Sequence, residues 1–318
     1  MNQMESNRVL VTCPPMLGML NEFVNPAEKL GLELVPAQVT QTLSETELID
    51  LLPQFDGWII GDDPATKQVF TAGKKGRLKA AVKWGIGIDN VDFATCKKLK
   101  IPIVNTPGMF GGEVADIAVG YVIALARHTV QIDREVRLGN WPKPRGLSLA
   151  GRTVALVGYG DIGRNTARRL MAADMRVIAY DPYVKADSLE EGVRLANWPE
   201  RIQEADFVVV NCALTSSSRH LLNAEAFAAM KPGVRIVNVG RGPVIDEKAL
   251  ISALSDSRVH SAALDVFEEE PLSTKSPLRN HPHCIFGSHN ASNTIDGVKR
   301  TSHKAISLLA EFLTKSKV

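Results

Sequence analysis

The chain has 318 residues, 45% of them hydrophobic and 23% charged, with a formal net charge of +2 at neutral pH. That length exceeds one small core and suits two domains, and the composition is that of a globular protein. With charges nearly cancelling and no long basic run or basic-aromatic interleaving, nucleic acid is not expected as a partner. Residues 1–7 are polar, and the longest near-continuous apolar stretch, Ile117 to Ala126, is far shorter than a membrane span. No membrane partner is therefore expected, and a cytoplasmic location is. Cys13, Cys96, Cys212 and Cys284 lie far apart with no C-x-x-C spacing, which suits reduced core thiols rather than disulfides or a zinc site.

In chain order, short apolar runs at Val9–Val11, Leu32–Val35, Trp58–Ile60, Ala81–Trp84 and Ile101–Val104 alternate with helix-like segments. Such alternation predicts an α/β domain around a parallel sheet. After Pro107, the stretch Glu113 to Arg127 is apolar almost all the way round, which predicts a helix buried between layers, a spine between domains. A second α/β series begins at Gly151, with runs ending near Val157, Tyr180, Val210, Val237, Leu264 and Phe286. Six such runs make a full dinucleotide-binding sheet. At the tail, Ile295, Val298, Ile306, Leu309 and Leu313 fall at helical spacing, predicting an amphipathic helix that returns to the N-terminal domain.

The run Thr153–Val157 leads into Gly158-Tyr159-Gly160-Asp161-Ile162-Gly163 and then a helix-like stretch. The first glycine permits a tight turn, the second lets backbone approach a pyrophosphate, and the third lets helix pack close to strand. The helix start that follows turns unpaired N–H groups and its positive dipole end toward the anion. A lone G-x-G-x-x-G match is weak, since a bare structural turn would explain it. Here a second apolar run, Arg176 to Tyr180, ends at Asp181, an acid suited to ribose hydroxyls and repelling a 2′-phosphate. The order of strand, turn, helix, strand and acid reads as an NAD site.

In open parallel sheets, ligands collect at the carboxyl ends of strands. One strand runs into Val239-Gly240-Arg241-Gly242, where an arginine between glycines can approach a ligand closely and clamp a carboxylate. The next ends at Leu264-Asp265 and continues through Glu268-Glu269-Glu270-Pro271, and the last presents His289. Each has a plainer explanation. A loop arginine is most often solvated or ion-paired, and three glutamates are most often an exposed face. His281 and His283, in a proline-containing loop, read as surface residues, and position at a strand end favours His289.

Taken together, Gly158 to Gly163, Asn238 to Asp246, Ala263 to Pro271, Ser288-His289, Trp84 to Asp92 and Asn105 to Pro107 resemble the D-isomer-specific 2-hydroxyacid dehydrogenases over nearly the whole chain. The resemblance implies two Rossmann-like parallel-sheet domains. A flavodoxin-like substrate domain would form from 1–106 and 291–318, the NAD domain, 107–290, would be nested within it, and the active site would lie in the cleft between them. It also implies roles: Arg241 as catalytic arginine on the substrate carboxylate, His289 as acid/base, and Glu270 favouring the protonated imidazole and holding the ring. NAD would rest on Gly158, Gly160, Asp161, Ile162, Gly163, Asp181, Cys212, Ala213, Val239 and Asp265, the last accepting a hydrogen bond from the nicotinamide amide.

Substrate would meet Lys83, Trp84, Gly85 and Ile86, with backbone N–H groups on its carboxylate. Lys83 and Lys143 are candidate phosphate contacts, Lys143 reaching across a homodimer built around the helix from Glu113. Phe110 stands where many relatives carry asparagine near the substrate, and Asp161 where arginine is frequent, so that one pyrophosphate contact is either absent or supplied by Arg164. The expected activity is hydride transfer between NAD(H) and a small 2-hydroxy/2-oxo acid, 3-phosphoglycerate-like in the first instance. Hydroxypyruvate or glyoxylate reduction and an NAD-sensing corepressor-type binding protein are the alternatives.

Overall fold

The structure, a computed structural model, describes residues 6–315, so most of the polar start and the last three residues lie outside the described residues. The chain divides into two compact units, one taking the chain up to Phe110 and again from Asn293, the other spanning Gly111–Ser292.

The first unit holds β1 (Asn7–Val11), β2 (Leu32–Pro36), β3 (Gly57–Ile60), β4 (Ala80–Lys83) and β5 (Ile103–Asn105). All pairings are parallel, in the order β2-β1-β3-β4-β5. β3 and β4 are buried throughout, as parallel strands covered on both faces must be. One face packs Trp58, Phe70, Leu48 and Leu52 under helices Glu45–Leu51 and Lys67–Lys75. Helix Ile295–Lys315 packs against β3 and β4, burying Val298, Ile306, Leu309 and Leu313. The glycine at 57 lets it approach, since a Cβ there would stand 3.0 Å from the Leu309 side chain.

The second unit holds β6 (Thr153–Val157), β7 (Arg176–Tyr180), β8 (Val193–Leu195), β9 (Phe207–Val210), β10 (Val234–Asn238), β11 (Val259–Leu264) and β12 (Cys284–Phe286). Their order is β12-β11-β10-β9-β6-β7-β8, all parallel. The sheet thus has seven strands where the sequence predicts six. The extra one, β8, is a three-residue edge strand with an exposed arginine at its centre, too short and too polar to register as an apolar run.

Helix Gly111–Arg127 departs further from expectation. It buries Val114, Ala115, Ala118, Val122 and Leu125, but Asp116, Ile117, Gly120 and Ile123 are exposed on its other side. It is therefore a half-buried helix with an apolar outer face, and uniform apolarity alone did not distinguish this from full burial.

Candidate active site

Everything placed at the carboxyl edge of the seven-stranded sheet follows from how strands end there. Gly158, at φ +96°, closes the turn after β6, where a Cβ would stand 2.6 Å from the Cys212 backbone nitrogen. A side chain at Gly163 would strike the Gly158 carbonyl, whereas nothing lies within 4 Å of a Cβ at Gly160. Helix Asp161–Met171 starts here without a side-chain cap, and the N–H groups of Asp161, Ile162 and Gly163 find no acceptor among the described residues. An open glycine face and an uncapped helix start fit a pyrophosphate. Asp181, at the end of β7, is fixed by two backbone donors, Tyr159 N to Oδ2 (2.8 Å) and Tyr183 N to Oδ1 (2.9 Å).

The Asp161 carboxylate itself turns aside. It lies against Gly111, at the start of helix Gly111–Arg127, and accepts from Asn165 Nδ2 at 3.2 Å. Arg164 donates to the Ser188 carbonyl at 2.6 Å and lies over the Tyr159 ring. Cys212 and Ala213 follow β9, and burial pushes the Cys212 thiol up to about 11. Beside them Asn211, singled out by no sequence signal, keeps both side-chain amide atoms buried without a partner among the described residues.

The loop after β10 carries Val239, buried, and Arg241, half-buried. Buried Asn238 shapes this loop: its Nδ2 donates to the Arg241 carbonyl (3.0 Å) and its Oδ1 accepts from Gly240 N (3.1 Å). Arg241 also donates to the Gly240 carbonyl at 3.0 Å. The acidic triplet resolves into separate jobs. Glu268 meets His220 Nε2 at 2.6 Å, while Glu270 Oε2 meets His289 Nδ1 at 2.7 Å and Glu270 Oε1 accepts from Phe267 N at 3.0 Å. With Nδ1 held by a carboxylate, the tautomer and orientation of the His289 ring are fixed.

Asp265 sits almost fully buried beneath this pair. Its carboxylate accepts from Asn290 N (3.2 Å) and Ala291 N (2.9 Å), and its carbonyl accepts from His289 N (2.7 Å), holding a histidine whose φ is +56°. Asp265, expected to meet the nicotinamide, thus also braces the His289 loop. No side chain fits at Gly287, where a Cβ would overlap the Asp265 carboxylate and stand 2.7 Å from the Tyr121 hydroxyl. Burial first, and Asp265 second, push Tyr121 up to about 12.

In the first unit, the predicted substrate residues split. Gly85, at φ +108°, spends its N–H on Thr106 Oγ1 (2.7 Å), while Ile86 N and Gly87 N find no acceptor among the described residues. Those two N–H groups can take a carboxylate. Trp84 is a packing group, its Nε1 donating to Ser302 Oγ at 3.1 Å and its ring against Phe110 at 5.0 Å. Phe110 is buried there. Lys83 is also buried, at 2% exposure, and its Nζ donates to the Gly61 carbonyl (2.6 Å) and to Asp62 (3.0 Å). Lys143 lies exposed on the irregular segment 139–150 of the second unit.

The family model for the D-isomer specific 2-hydroxyacid dehydrogenase NAD-binding domain matches residues 119–291, more than half of the chain. The chain belongs to this family. It is an NAD-dependent oxidoreductase acting on 2-hydroxy acids. It is 37% identical to the hydroxypyruvate reductase of Thermotoga maritima over 266 residues, 82% of this chain and 86% of that one. Against D-3-phosphoglycerate dehydrogenase 2, chloroplastic, of Arabidopsis thaliana it is 38% identical over 256 residues, 79% of this chain but only 41% of the relative's length. Among solved structures, the TT0316 protein of Thermus thermophilus superposes with a TM-score of 0.85 at 29% identity, over 97% of both chains. No described helix of this dehydrogenase is long and apolar enough to cross a membrane.

Proposed function

We propose that this dehydrogenase reduces a small unphosphorylated 2-oxo acid, of the hydroxypyruvate or glyoxylate class, and oxidises the corresponding 2-hydroxy acid. The observation behind this choice is Lys83. An ammonium that is buried and committed to Gly61 and Asp62 offers nothing to a phosphate, so the phosphoglycerate reading loses its main cation. The unpartnered N–H groups of Ile86 and Gly87 suit the carboxylate common to every 2-oxo acid.

In the reaction, bound NADH supplies the hydride. Arg241 holds the substrate carboxylate and draws negative charge toward the carbonyl oxygen. His289, oriented through Nδ1 by Glu270, gives a proton from Nε2 to the developing alkoxide and takes it back in oxidation. Asp265 keeps the His289 loop in register with β11, and Asp181 selects the unphosphorylated ribose. A screen of NADH oxidation with hydroxypyruvate, glyoxylate, pyruvate and 3-phosphohydroxypyruvate tests the reading. Hydroxypyruvate or glyoxylate should give the highest kcat/KM, and a clear lead for the phosphorylated acid would refute it.

We also propose a cytoplasmic homodimer. Ile117 and Ile123 on the outer face of helix Gly111–Arg127, with Val136, Leu138 and Trp141 further on, are exposed at 36–79% and form an apolar surface that a second copy would cover. Four free cysteines, three of them buried, suit a reducing compartment. Sedimentation of the purified enzyme should give a dimer, and Trp141→Glu should shift it toward monomer.

A further inference from the structure

Four of the seven histidines gather at the amino edge of the seven-stranded sheet, the end opposite Arg241 and His289. The rings of His128 and His260 are 5.8 Å apart, those of His260 and His283 stack at 5.3 Å, and His281 stands edge-on to His283 at 5.9 Å. None belongs to the catalytic arrangement. His281 and His283, expected as surface residues, are half-buried because the loop before β12 folds over the end of β11.

A small solvent-open recess runs among these rings, lined by His128, Gln131, Arg134, His260, Ser261 and His283 together with apolar groups. No carboxylate lines it. Its floor is Ser261, 3% exposed, whose hydroxyl has no partner among the described residues, and the same holds for Nδ1 of His260. On one side helix Thr129–Arg137 begins at His128 with no side-chain cap, and the N–H groups of Val130 and Gln131 find no acceptor among the described residues. An uncapped helix start and a buried hydroxyl thus stand at the recess without an acceptor, beside one buried ring nitrogen, Nδ1 of His260, without a partner among the described residues. Each costs free energy when left unpaired, and an anion would satisfy all three.

The charges around the recess agree. Arg235, His283 and His128 face His260, and His281 and His128 face His283, while Arg134 faces Cys284. Burial, then these basic neighbours, hold His260 down to about 4 and His283 below its ordinary value. Both rings are therefore neutral at pH 7, and an anion placed between them would draw protons on.

We propose that this recess binds a small oxyanion on the first turn of helix Thr129–Arg137, with the Ser261 hydroxyl and the His260 and His283 rings as further donors, and that protons are taken up as it binds. The ligand class is a sulfate- or phosphate-sized anion or a small carboxylate. The site is independent of the substrate reading, since it shares no residue with it.

Inorganic sulfate is a suitable probe because its charge is constant between pH 5.5 and 7.5. Calorimetric titration of NADH-saturated enzyme, at ionic strength matched with chloride, should show binding with net proton uptake. Affinity should tighten by up to about tenfold per pH unit for one coupled proton as pH falls. Ser261→Ala, which removes one oxygen atom, and His260→Asn should each weaken sulfate several-fold while turnover of the 2-oxo acid is unchanged. Equal sulfate affinity in wild type and both variants, affinity flat with pH, or no binding at all would overturn the proposal.

Discussion

His289 and His260 stand at opposite ends of the neighbouring strands β12 and β11, and their surroundings are opposed. The first has a carboxylate on Nδ1 at 2.7 Å, and that carboxylate is itself steadied by a backbone N–H. The second has a buried ring nitrogen without a partner, two further imidazoles and an arginine. An imidazole becomes a proton-transfer group when an acid fixes its tautomer and orientation. Massed imidazoles with no acid instead resist protonation and make a site that waits for negative charge.

The sharpest way to break this contrast is at the carboxyl edge. His289→Ala should lower kcat/KM by about 10³–10⁴-fold while NADH binding, followed by fluorescence, persists. A variant retaining full turnover would remove His289 from the reaction. Glu270→Gln keeps the side chain's size and most packing but weakens its hold on the His289 ring, and a loss of about 10²-fold in kcat is expected. Asp181→Ala should cut the preference for NADH over NADPH by about 10–100-fold, read as a ratio of kcat/KM values, since it removes the carboxylate proposed to meet the ribose.

The smallest effect belongs to the amino edge. His260 has an ordinary value of 6.5 and is held at about 4, so the unfolded chain takes up a proton at higher pH than the folded one. Stability should therefore be fully present above pH 6.5 and decline as pH falls toward 4. Discounted for partial exposure, the loss is on the order of 1–2 kcal/mol. Urea unfolding midpoints at pH 7.5 and 5 would measure it, and His260→Asn should flatten the dependence.

These two edges were unequally legible in the sequence. Gly158 to Gly163, Asp181, Arg241, Glu270 and His289 follow their strands within a few residues, so local spacing and the rule for parallel sheets bring them to one edge. The histidine cluster joins residues 128, 260 and 281–283 through tertiary packing, and no local pattern marks it. Lys83 is hard to read from sequence for a related reason. A lysine at a strand end looks available for a ligand, and only the fold shows the Gly61 carbonyl and Asp62 closing around its ammonium. Helix Gly111–Arg127 shows a third limit, since an exposed apolar outer face has the same composition as one buried in a core.

Helix Ile295–Lys315 covers β3 and β4, yet it is made only after the whole 111–292 segment. On a ribosome adding about 5–20 residues per second, roughly ten to forty seconds separate the emergence of the first sheet from that of its cover. During that interval Trp84 lacks its Ser302 partner and one face of buried strands has nothing over it. The inserted unit, contiguous in sequence, can meanwhile complete its own sheet. Synthesis thus delivers a finished nucleotide module tethered to an unfinished sheet, and truncation within the final helix should send the product to chaperones and proteases rather than yield a merely weaker enzyme.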